Sequence, residues 1–152
     1  MTQEKNIQVR TQLEVAQPPS RVFEAIINPE QMSQYFISSG TGPMQSGETV
    51  HWKFERGGGI EVKVERIEPD KWVSFFWSAG GSKEFVTMEL TPVGDNGTLL
   101  KITESEWLPD EKGIAKGMQQ TQGWMHFLCC MKAYLEYGIH LRKSRVVGKK
   151  ES

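Results

Sequence analysis

The sequence predicts an α+β domain in which a curved antiparallel sheet clasps one long C-terminal helix. Three observations carry this reading. Stretches of apolar–polar alternation recur between residues 7 and 107, separated by tight turn signals. Strands joined by such turns run antiparallel and present one face to a core. Near the C-terminus, TQGWMHFLCCMKAYLEYG (Thr121 to Gly138) is apolar around nearly half a helical cylinder, more than one flat neighbour would cover. A bent sheet wrapping the helix satisfies that arc.

Residues Ile7 to Val15 alternate, with Ile7, Val9, Thr11, Leu13 and Val15 on one face, and form a half-buried strand. Pro18-Pro19-Ser20 starts a helix, because proline is tolerated in the first turn. Val22, Phe23, Ile26 and Ile27 give that helix its stripe until Asn28-Pro29 breaks it. Met32, Tyr35 and Phe36 stripe a second short helix, and Ser38 to Gly47 reads as loop.

A meander of five or six strands follows. Val50, Trp52 and Phe54 share a face, Gly57-Gly58-Gly59 supplies a hairpin turn, and Ile60, Val62 and Val64 resume the alternation. Ile67 then arrives one residue late, which places a bulge at Glu65-Arg66. Trp72 to Trp77 is apolar on both faces, Ala79 to Ser82 turns, and Val86, Met88 and Leu90 point inward. Asp95-Asn96-Gly97 is a hairpin signal, so the sequon it overlaps reads as a turn. Leu100, Ile102 and Glu104 share the inward face of the last strand, which runs to Trp107. Pro109-Asp110 opens a helical region to about Leu141, with Lys132, Glu136 and His140 on its wet side. The expected domain covers residues 1–141, and the basic remainder, RKSRVVGKKES, reads as a frayed tail.

Composition narrows the function. A net charge of -1 gives no global attraction to nucleic acid or to an anionic membrane. MTQEKNIQVR lacks the apolar run of a signal peptide, and WMHFLCCM is too short to span a bilayer. Cys129 and Cys130 are helix neighbours that diverge by about 100°, so they read as reduced thiols of a cytoplasmic protein. No catalytic triad, metal-ligand spacing or phosphate loop occurs, so neither a metal nor a cofactor is expected.

Five segments carry a resemblance. VFEAIINPEQMSQYF, GETVHWKF, RIEPDKWVSFFW, GTLLKITESEW and the GW…YLE of the terminal helix, spanning roughly residues 8 to 141, resemble the family named after the activator of Hsp90 ATPase, within the START-like (SRPBCC) superfamily. The resemblance implies a helix-grip fold around an elongated cavity that takes apolar molecules in some members, while others are enzymes or bind proteins. In the last strand, where many relatives carry a His or a small polar residue, this chain has Glu104 and then Glu106. Relatives' ligand preferences therefore do not transfer directly.

The leading expectation is a non-catalytic pocket for a small apolar or aromatic ligand. Trp52, Phe54, Phe75, Trp77 and Met88 would line it from the sheet, and Trp124, Leu128 and Met131 from the helix. Glu104 would be its polar anchor, a carboxyl group in apolar surroundings with a raised pKa. A solidly packed interior fits the composition equally well. One alternative is a protein-interaction module or homodimer using outward Trp72 and Phe76, with a chaperone as the partner the family name suggests. Another is a cyclase- or hydrolase-like enzyme using Glu104 with a second polar group. His51 and His140 read as surface residues, and His126 as a structural residue at the edge of the apolar arc.

Overall fold

A computed structural model describes residues 6–78 and 83–147. The expected turn at Ala79 to Ser82 lies outside the described residues. Strand β1 (Ile7–Val15) leads into helices α1 (Pro19–Ile27) and α2 (Pro29–Met32). Strands β2 (Ser39–Gly40), β3 (Thr49–Lys53), β4 (Gly59–Glu68), β5 (Trp72–Trp77), β6 (Glu84–Val93) and β7 (Gly97–Trp107) follow, then helix α3 (Glu111–Tyr137). The seven strands form one antiparallel sheet in the order β1-β7-β6-β5-β4-β3-β2. The two-residue β2 falls inside the segment read as loop; it pairs with β3, and pairing alone defines so short a strand.

Local chemistry sets the element ends. Pro18 precedes α1, and the Asn28 side chain accepts from Glu30 N at 3.0 Å, starting α2 where proline has stopped α1. Asp110 caps α3 by accepting from Gly113 N at 2.8 Å. A Cβ on Gly113 would sit 1.8 Å from the Leu108 carbonyl oxygen, so only glycine fits this tight entry. At the far end Gly138 takes φ 66°, a left-handed cap. The helix therefore stops at Tyr137, short of the expected Leu141.

The inward strand residues meet α3 in a continuous core. Val50, Trp52, Val62, Val64, Val73, Phe75, Trp77, Val86, Met88, Leu100 and Ile102 are all buried, and they face buried Trp124, Phe127, Leu128, Met131 and Leu135. The β4–β5 register shifts between Val64 and Arg66, where the late Ile67 placed a bulge. The C-terminal half of α3 is also clipped to the end of β1. Glu136 Oε2 accepts from Ala16 N at 2.9 Å, and Lys132 Nζ donates to the Glu14 carbonyl at 2.8 Å. These two polar residues thus anchor the helix instead of facing open water.

Four expectations are corrected. First, the chain past Gly138 folds back: β8 (Ile139–His140) and β9 (Arg145–Val146) form a small hairpin around a 3-10 turn at Leu141–Lys143. The tail read as frayed is thus structured up to Val147, held partly by Lys143 Nζ on Glu55 Oε1 at 2.8 Å. Second, His140 lies in this hairpin, outside the helix, and is buried. Third, the apolar arc does not extend through the end of the helical region: Tyr137, the last residue of α3, and Leu141, beyond it in the 3-10 turn, are exposed. Fourth, Trp72 and Phe76 are half-buried on the outer face. The Arg66 guanidinium lies 4.8 Å over Trp72, while Phe76 meets Phe85 at 4.8 Å and Lys83 Nζ at 5.1 Å. They are not the open patch the sequence suggested.

Candidate functional site

Glu104 sits on β7 opposite Val86 of β6 and Val9 of β1, on the concave face, and is fully buried. Its neighbour Glu106 is exposed, accepting from Asn6 Nδ2 at 2.8 Å. The β1–β7 register shifts between Ile7 and Gln8, and the extra residue turns Trp107 inward in place of Glu106.

Three N–H donors converge on the Glu104 carboxylate. Trp77 Nε1 donates to Oε2 at 2.6 Å, while Trp124 Nε1 and Gln120 Nε2 both donate to Oε1 at 2.9 Å. The group ties β5 and β7 to α3. Burial raises its pKa; the three donors, Trp77 first, pull it down; nearby Glu84 pushes it up, and the net direction is upward. As chemistry this is a clamp, with both oxygens engaged by protein donors and neither reaching solvent.

The sequence reading missed two members of this cluster. Gln120 precedes Trp124 by four residues, so it lies on the same helix face, a signal that could have found it. Glu84 precedes Val86 by two and pairs with Trp77, so alternation also points it inward; it too is fully buried.

Around the clamp the aromatic residues interlock. Trp77 stacks on Trp124 at 5.1 Å, and Trp52 meets Phe75 at 5.6 Å and Trp77 at 6.1 Å, edge to face. Phe36, after α2, joins this cluster to the outside, touching Phe127 at 4.8 Å, Phe54 at 5.3 Å and Trp52 at 6.0 Å. Phe36 and Phe54 are half-buried. Of the nine residues chosen from sequence, all but Phe54 are buried, and Phe75, Met88, Glu104, Leu128 and Met131 are wholly so.

A hollow of about 520 Å³ opens outside Phe36 and Phe54. The α3 residue His126 and the hairpin residues His140, Arg142 and Lys143 form its other walls. The Arg142 guanidinium lies 5.0 Å over the Phe36 ring. His126 Nε2 is 3.4 Å from Cys130 Sγ. That thiol is buried and its pKa is raised by desolvation, with Arg142 pulling the other way, while Cys129 is exposed. Desolvation first, then Lys143 and Arg145, depress the His140 pKa, so its ring is neutral at neutral pH. A second hollow of about 400 Å³ lies at the sheet edge beside Gly40, His51 and Gly59. Among the described residues no three His, Cys, Asp or Glu side chains gather closely enough to hold a metal ion. None of the described helices is long and apolar enough to cross a membrane.

A curved antiparallel sheet gripping a C-terminal helix, with polar groups buried between them, defines a START-like helix-grip domain. The family model described as "Activator of Hsp90 ATPase homolog 1-like protein" matches residues 16–136, and the chain belongs to that family. Solved structures agree on the fold. Protein SSP2350 from Staphylococcus saprophyticus is 27% identical, with 90% of this chain and 96% of that one covered and a TM-score of 0.80. DynU16, a putative protein of the dynemicin biosynthetic locus, is 29% identical at a TM-score of 0.78, with 91% of this chain aligned to 49% of its length. The Aha1 dimer from Colwellia psychrerythraea is 21% identical at a TM-score of 0.75, covering 87% and 98%. No curated protein matches the sequence.

Proposed function

We propose that the protein is a non-catalytic ligand-binding domain that holds a small aromatic molecule in the hollow outside Phe36 and Phe54. The carrying observation is the placement of that hollow: about 520 Å³, within the range of small-molecule sites, and walled by two half-buried rings backed by the aromatic core. A ligand ring packed there gains about 25 cal/mol per Å² of apolar area removed from water, plus edge-to-face contacts. Trp52 and Trp124 pack against Phe36 from the core side, Phe75 and Trp77 pack on Trp52 in turn, and Met88, Leu128 and Met131 belong to the same buried core. Glu104, its oxygens already filled, holds that core in shape and leaves ligand contact to the hollow's own polar groups.

Titration with 2-naphthol, followed by backbone amide NMR shifts, tests this reading. The expected shifts cluster at Phe36, Ile37, Phe54, His126 and the 139–146 hairpin, and Phe36→Ala weakens them. Shifts that are absent, or scattered over the outer sheet face, sink the reading.

Homodimerisation is a second reading, favoured by an exposed apolar cluster away from the hollow. Ile114 and Met118, one turn apart on α3, and Leu108 just before the helix are 49%, 70% and 62% exposed. The solution structure of Aha1 from Colwellia psychrerythraea is that of a dimer. Sedimentation is expected to show a dimer that Met118→Glu converts to monomer; a monomer at all concentrations ends this reading.

A further inference from the structure

We propose that the hollow selects anionic aromatic molecules, aromatic carboxylates foremost, with Arg142 as the residue that reads the charge. This rests on the ligand-binding reading above and names its substrate class. Three observations on the same walls carry it.

The first is charge. Arg56, Arg142 and Lys143 line the hollow against one carboxylate, Glu55. That carboxylate is already paired with Lys143 at 2.8 Å, which holds its pKa below the usual range. Arg56 and Arg142 have no carboxylate partner among the described residues. The hollow is thus net positive in a protein whose overall charge is -1.

The second is geometry. The Arg142 guanidinium carbon lies 5.0 Å from the centroid of the Phe36 ring, which puts a cation and an aromatic ring side by side in one wall. A planar ring bearing a carboxylate matches this pair: the ring meets Phe36 and Phe54, while the carboxylate receives the guanidinium N–H groups.

The third is an unmet polar atom. His140 is only 3% exposed, lines the hollow, and its Nδ1 has no hydrogen-bond partner among the described residues. A buried nitrogen without a partner is costly, and a bound polar group would relieve it. The other ring nitrogen donates to the Ser33 backbone, which leaves Nδ1 as the acceptor, so a hydroxyl beside the ligand's carboxylate is the complementary group.

The test compares 2-naphthoate with its neutral isostere 2-naphthamide by NMR titration of the full chain. Naphthoate is expected to bind about tenfold tighter, the scale of one charge-assisted contact. Added salt should narrow the gap. Arg142→Gln, at an exposed position, should abolish it, and Arg142→Lys should keep part of it. Equal or tighter binding of naphthamide overturns the anion proposal while leaving the aromatic pocket standing. A naphthoate preference that survives Arg142→Gln removes Arg142 from the role. Failure of both compounds to shift Phe36 and Phe54 overturns the pocket and this inference together.

Discussion

Replacing Trp124 by alanine is expected to cost about 4 kcal/mol of stability, within the range for deleting a buried large aromatic side chain. For a domain of this size that is a fall in Tm of roughly 12 °C. The side chain is 3% exposed and sits where three things meet. It stacks on Trp77, it packs edge to face on Phe127 at 5.3 Å, and its Nε1 donates to Glu104. Alanine therefore opens a cavity beneath α3 and takes one of three donors from a buried carboxylate. Trp124→Phe separates the two effects, since it keeps most of the ring packing and loses the N–H. Its expected cost is about 2 kcal/mol, the value of a hydrogen bond to a charged group. Urea unfolding of both variants checks this. A phenylalanine variant as stable as wild type would mean that the indole N–H contributes nothing, and a phenylalanine variant as weak as alanine would mean that packing contributes little.

The elements that local pattern specifies were readable in advance. Alternation placed β1 at its observed bounds, the late Ile67 located the β4 bulge, and Glu104 pointed inward because it shares a period of two with Leu100 and Ile102. What escaped depends on contacts remote in sequence. The hairpin after α3 has a weak local signal, and its charged residues suggest solvent. It is ordered by tertiary partners such as Glu55, far away in the chain. Gly138 did carry a helix-stop signal, and had it been weighed, His140 and Leu141 would not have been assigned to a helix face. The same blindness hid the hollow. Phe36, Phe54 and Arg56 come from the first part of the chain, His126 from α3, and His140, Arg142 and Lys143 from the hairpin after it, so no single window of sequence contains the hollow. The outer aromatics failed differently: Trp72 and Phe76 do point outward, but the neighbouring strands supply Arg66, Lys83 and Phe85 as cover.

Glu104 should also leave a signature in the pH dependence of stability, with a sign opposite to that of a typical salt-bridged carboxylate. Its folded-state pKa is raised above the ordinary value of 4.5, chiefly by burial. The native protein then holds this proton to a higher pH than the unfolded chain does. Below about 4.5 both states are protonated, and the native state has its full share of stability from this group. As pH climbs from there through the raised pKa, unfolding releases the proton, so each step upward favours the unfolded chain. Glu104→Gln cannot titrate. The stability of wild type relative to this variant should therefore fall across that window and level off above it, read from urea midpoints at a series of pH values. Glu84 is the charged neighbour that pushes the pKa upward, so in Glu84→Gln the decline should be smaller and confined to lower pH. The competing outcome has a clear physical meaning. If the N–H groups of Trp77, Gln120 and Trp124 stabilise the anion by more than burial penalises it, wild type will instead gain on Glu104→Gln as pH rises. The carboxylate would then be held by its donors as an anion whose burial is fully offset, and the upward shift assigned to it would be wrong.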